Sequence, residues 1–131
     1  MLEKTLSNKK RLLLYLVMLL IPMVAISIIY FTDDVCSDGV LMENNTFLDS
    51  AVIVTLNGFY NITRVSTAND SLIQFQDSLM TGNEFFKLYN LVGVPSLLIF
   101  DSENDRLGRI QAGYYPSDAF LDLLNYYIDN L

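Results

Sequence analysis

The chain has no histidine, no tryptophan and a single cysteine in 131 residues. Without histidine there is no imidazole general base, and most zinc sites are excluded. With one thiol there is no internal disulfide framework. Nor can the chain run a two-thiol redox cycle alone, because a mixed disulfide is released by attack of a second sulfur. Basic residues are also scarce, eight Lys and Arg against fifteen Asp and Glu, for a net charge of −7. Half of these bases, Lys4, Lys9, Lys10 and Arg11, lie in the first eleven residues, and from residue 12 onward four bases face fourteen acids. So acidic a body argues against nucleic acid, where basic surface supplies most of the affinity. The acids at Asp101, Glu103 and Asp105 are too few and too closely spaced for a calcium-binding loop. No metal and no cofactor are expected.

What is present is a long apolar run. Residues 12–31 contain no charge. As a helix they would extend about 30 Å, the thickness of a bilayer core. Lys9, Lys10 and Arg11 precede the run, and Asp33 and Asp34 follow it. This asymmetry predicts a cytoplasmic basic tail over 1–11, a transmembrane anchor over 12–31, and a domain over 33–131 outside the cytoplasm. Two alternatives stay open. The run could be a cleaved signal peptide with small residues at Ala25 and Ser27. Or Pro22 could end a helix, leaving the β-branched stretch 24–31 as a buried strand.

The other end of the chain reads more simply. Ser96–Phe100 is apolar on both faces, as in an interior strand. Residues 107–112 alternate, as in a half-exposed edge strand. Between them lie turn formers, so the pair predicts a hairpin, with Asn104 best suited to a left-handed backbone. Pro95 precedes the first strand, where its missing N–H does least harm. Helices are expected over 36–44, 49–56, 83–90 and 117–130. Val40 and Met42 should turn inward in the first, Phe86 and Tyr89 in the third, and Phe120, Leu124, Tyr127 and Leu131 in the last. A strand is expected over 59–65. Residues 66–80 read as mostly loop, with a helical turn at 72–75. The sequons at Asn44, Asn61 and Asn69 could be glycosylated outside the cytoplasm, Asn69 in its loop being the best acceptor and Asn61, inside an expected strand, a poor one.

Tyr89, Val92, Val94-Pro95, Phe100-Asp101, Arg109-Ile110, Gly113-Tyr114 and Phe120-Leu121 together resemble the C-terminal half of a thioredoxin-like domain. At the other end, 31–39 (FTDDVCSDG) resembles that family's strand, acidic loop and Cys-x-x-Cys opening a helix. Cys36 matches the first, nucleophilic cysteine, Val35 replaces the usual tryptophan, and Gly39 replaces the second cysteine. The similarity continues through Met42-Glu43, Thr46-Phe47, Asp49, Val52 and Leu56-Asn57. The resemblance implies an α/β thioredoxin-like fold over about 31–131, in which Val94-Pro95 is cis and faces Cys36. It also implies that the strand entering the cysteine motif is central in the sheet. Residues 24–31 are therefore asked to be both membrane helix and central strand. A chain with an incomplete N-terminal βα unit would look like this.

The resemblance leaves two functions open. One is a membrane-tethered module without autonomous dithiol–disulfide activity, binding a protein or peptide partner beside Val94 and Pro95, where the resemblance implies that the backbone before the proline pairs with substrate as an added strand. The other is a single-cysteine thiol–disulfide oxidoreductase, in which Cys36 forms a mixed disulfide that an external thiol resolves. A helix N-terminus favours the thiolate of Cys36, whereas Asp33, Asp34 and Asp38 oppose negative charge there.

Overall fold

The computed structural model describes residues 26–110 and 113–131. Its centre is strand β1, Ile26–Thr32, apolar on both faces and almost wholly buried. Three further strands make one sheet with it: β2, Tyr60–Ser66, β5, Ser96–Phe100, and β6, Arg106–Ile110, in the order β2-β1-β5-β6. β1 pairs parallel with β2, Tyr30 opposite Arg64, and antiparallel with β5, Ile29 opposite Leu98. A smaller hairpin comprises β3, Leu72–Phe75, and β4, Ser78–Thr81. The helices are α1, Ser37–Asn44, α2, Ser50–Phe59, α3, Gly82–Leu88, and α4, Ser117–Asp129.

The period-two alternation of β1 decides the layers. Ile26, Ile28 and Tyr30 point to one side, where Met42 of α1, Val52 and Leu56 of α2, and Phe120 and Leu124 of α4 cover them. Ile29 and Phe31 point to the other, against Phe85 of α3 and Phe75 of the small hairpin. A sheet buried on both faces needs continuous apolar strands, and β1 and β5 supply them. Side chains fix the helix starts. Asp49 accepts hydrogen bonds from the Ala51 and Val52 amides, and Thr81 accepts one from the Glu84 amide. Each satisfies amides that the first turn leaves without partners.

Several expectations need correction. Residues 12–31 are not one uninterrupted membrane helix, because Ile26–Thr32 is the central strand. Residues 1–25, with the basic tail and the rest of the expected anchor, lie outside the described residues, and no helix among the described residues is long and apolar enough to cross a membrane. Ladder pairing on both sides of β1 satisfies its amides and carbonyls, which would otherwise be unmatched in β2 and β5. The run 72–75 is a strand rather than a helical turn. It pairs with 78–81 across Gln76 and Asp77, with Gln76 at φ 55°. In α3 Phe85 is the buried aromatic, while Phe86, and Tyr89 just after the helix, are half-buried. In α1 Met42 is buried but Val40 is exposed, and Leu131 beyond α4 is exposed. The 96–110 hairpin forms with Asn104 at φ 63°, its turn held by Asp101 Oδ1 accepting from the Glu103 and Asp105 amides.

Candidate functional site

β1 ends at Thr32, and the chain must turn from the sheet into α1 within four residues. Asp33 Oδ1 organises this turn by accepting hydrogen bonds from the Val35 and Cys36 amides, at 3.1 and 2.7 Å. Asp34 takes a left-handed backbone, φ 73°. Cys36 then caps α1, its Sγ accepting from the Gly39 amide at 3.3 Å. The thiol is half-buried and free. From the opposite side the loop before β5 closes over it, and the Cys36 thiol donates to the Val94 carbonyl at 3.3 Å. The Val94–Pro95 bond is cis, as the resemblance implied. Ser96 Oγ donates to the Gly93 carbonyl and holds this loop.

The four residues singled out from the sequence, Cys36, Gly39, Val94 and Pro95, thus meet at one place. Gly39 is not a vacancy. A Cβ there would lie 2.8 Å from Thr32 Oγ1, 3.3 Å from the Tyr30 hydroxyl and 3.6 Å from Cys36 Sγ. The space beside the thiol is occupied by two hydroxyls of β1.

Sequence reasoning gave no part in the site to Tyr30, Thr32 or Arg64, and read Asp34 only as a charge opposing the thiolate. Tyr30 is 1% exposed, and its hydroxyl donates to the Gly39 carbonyl at 3.4 Å. Burial, reinforced by Glu43, pushes the Tyr30 phenol up to about 12. The Arg64 guanidinium, then the Ser66 hydroxyl, holds Asp34 below the usual carboxylate range. Arg64 pairs with Asp34 and with Glu43. The signals were present. Thr32 is the polar end of an apolar strand, and Arg64 is the one base between residues 12 and 86. Among the described residues no cluster of Cys, Asp or Glu has the geometry to hold a metal ion.

A family model described as a thioredoxin-like domain matches residues 25–128. The chain belongs to this thioredoxin-like family. Solved thioredoxin-like structures agree on the fold. A thioredoxin-fold protein from Helicobacter pylori superposes with a TM-score of 0.75 at 16% identity, covering 80% of this chain and 70% of that one. A thioredoxin from Thermus thermophilus gives 0.64 at 20% identity, covering 79% and 74%. The reduced C-terminal domain of Neisseria meningitidis DsbD gives 0.58 at 17% identity, covering 80% and 83%. No curated protein matches the chain by sequence. Three residues after Cys36 the chain has Gly39 and no second cysteine. The remaining chemistry is that of one thiol at a helix N-terminus, beside the backbone of a cis-proline loop.

Proposed function

We propose that this thioredoxin-like domain binds an extended segment of a protein partner beside Val94 and Pro95, and that it has no dithiol–disulfide cycle of its own. The observation that carries this reading is the 3.3 Å contact between Cys36 Sγ and the Val94 carbonyl. It sets a half-buried thiol against a backbone group that an added strand could use. Val35 and Val92, 83% and 85% exposed, lie within two residues of that contact and supply apolar surface for such a segment. Insulin reduction with dithiothreitol tests the absence of a cycle. The wild type should match Cys36→Ser, and turnover equal to that of a two-cysteine thioredoxin overturns the reading.

A second reading is favoured by the position of Cys36 Sγ at the cap of α1. The Cys36 thiolate attacks one sulfur of a partner disulfide, R–S–S–R′. The S–S bond breaks, Cys36–S–S–R forms, and R′–S⁻ leaves. An external thiol, as thiolate R″–S⁻, then attacks the R sulfur, giving R–S–S–R″ and returning Cys36 as thiolate. Acid trapping should capture adducts with the wild type that are lost in Cys36→Ser. No adducts with either protein would leave noncovalent binding alone.

The domain is further proposed to lie outside the cytoplasm, tethered by the residues that precede it. Lys9, Lys10 and Arg11 before an uncharged run support this orientation. With Ile26 committed to the sheet, 14 residues of the run, 12–25, are free to enter a membrane. As a helix they would extend about 21 Å against a core of about 30 Å, so the bilayer would thin around them. Removal of a signal peptide after Ser27 would instead take the fully buried Ile26 out of β1. Carbonate extraction tests the tether, and release of the full-length chain into the soluble fraction overturns it.

A further inference from the structure

We infer that Arg64 is the positioning residue of the Cys36 site. It acts by holding Asp34, and it offsets the carboxylate charge that faces the thiol. The inference deepens the single-thiol reading above and rests on it only where reactivity is concerned.

Arg64 stands on β2 opposite Tyr30 of β1. From there its guanidinium reaches two elements. One is the loop before the cysteine, where Nη2 pairs with Asp34. The other is α1, where Nε donates to Glu43 Oε1 at 2.5 Å. Ser66, also on β2, donates to the second Asp34 oxygen at 2.9 Å. Both carboxylate oxygens of Asp34 are therefore fixed from one strand. This matters because Asp34 holds a left-handed backbone two residues before Cys36, a conformation uncommon outside glycine that Asp adopts most readily when its carboxylate is fixed. Asp33 caps the Val35 and Cys36 amides from within the same turn. Arg64 thus ties the end of β1, the start of α1 and β2 into one unit around the thiol.

The charges run the same way. Asp33, Asp34 and Asp38 flank Cys36 in the chain, Asp33 bonded to its amide, and Glu43 lies farther along α1 beside Arg64. The proline loop over 91–95 brings no titratable side chain. Among these groups Arg64 is the cation. A cavity of about 320 Å³ beside Arg64, lined also by Glu43 and Ile62, leaves room for an uncharged side chain of similar length. Arg64→Met can therefore remove the charge without overpacking.

The test uses the full-length chain as wild type, Arg64→Lys, Arg64→Met and Arg64→Met/Asp34→Asn. Hydrogen exchange is followed at the Val35 and Cys36 amides, and Cys36 alkylation by neutral iodoacetamide and anionic iodoacetate. In Arg64→Met both amides should exchange several-fold faster. The ratio of iodoacetate to iodoacetamide rates should fall by about two- to fourfold at low salt, and the fall should shrink as salt is added. Arg64→Lys should keep most of the ratio, and Asp34→Asn should restore it in the Arg64→Met background. Wild-type protection of both amides in Arg64→Met overturns the proposal, whatever the thiol does. A ratio that Asp34→Asn fails to restore overturns the assignment to Asp34. An inert wild-type thiol, with protection still lost in Arg64→Met, removes the single-thiol reading and upholds the positioning role.

Discussion

Restoring a side chain at Gly39 tests the site by its geometry rather than by its family pattern. Gly39 lies in the first turn of α1, where alanine is ordinarily better than glycine by roughly 0.5–1 kcal/mol, because glycine loses more backbone freedom on folding. Against that gain stands Thr32 Oγ1, 2.8 Å from the new Cβ. Thr32 is 1% exposed, its χ1 is stiff, and its backbone is paired with Ser66. A contact of this kind costs about 1–3 kcal/mol in a packed core. The two effects give a net loss of about 1 kcal/mol for Gly39→Ala, read as a lower urea midpoint at unchanged slope. Thr32→Ala deletes the opposing hydroxyl. In that background Gly39→Ala should change sign and stabilise by up to about 1 kcal/mol. The same logic governs the thiol. Gly39→Cys should place a second sulfur where it can form a disulfide with Cys36, and should reduce insulin more readily in the Thr32→Ala background than alone. If Gly39→Ala stabilises equally with and without Thr32, the steric argument is wrong, and Gly39 is not held small by β1.

Two further outcomes follow from the same core. Tyr30 keeps its proton to about pH 12 when folded but loses it near pH 10.0 when unfolded. Its contribution is therefore complete below pH 10 and lost as pH rises towards 12, at about 1.4 kcal/mol per unit or roughly 2–3 kcal/mol in all. Tyr30→Phe should cost about 1 kcal/mol at pH 7 through the lost hydrogen bond to Gly39. It should also flatten the alkaline decline, leaving the part due to Tyr60 and Tyr127, whose phenols are likewise raised; identical slopes in urea titrations at pH 9–12 would refute this. Gly82→Ala at the start of α3 should destabilise by about 3 kcal/mol, the upper end of overpacking effects. Its Cβ would lie 2.0 Å from the Ser66 carbonyl, which belongs to the backbone of β2 and cannot rotate away. A thermal midpoint within a degree of wild type would show that α3 shifts freely.

Local sequence determined the elements whose signals are local. The 96–110 hairpin was legible because two strands flank Asp101, whose carboxylate holds the turn amides, and Asn104, whose backbone takes the left-handed conformation. The start of α4 was legible because Pro116 and Ser117 favour helix entry. The single cysteine settled, without any structure, that the chain has no second thiol to resolve a mixed disulfide. The Cys36, Gly39, Val94 and Pro95 set was found through family pattern, since nothing local joins residues 58 positions apart.

The tertiary structure decided what composition leaves degenerate. Residues 26–31 suit a membrane helix and a buried strand equally, because both environments ask only for apolar side chains; pairing with β2 and β5 makes them a strand. The run 72–75 had no period long enough to read, and its fate depended on Phe75 packing against Phe85 and Phe100. In the sequence Arg64 is only one of four bases after residue 12, and it is the parallel register of β1 and β2 that brings it beside Asp34 and Glu43. Gly39 read as a gap in a motif. In the folded chain that space is held by hydroxyls of Thr32 and Tyr30, groups that no spacing in the sequence connects to it.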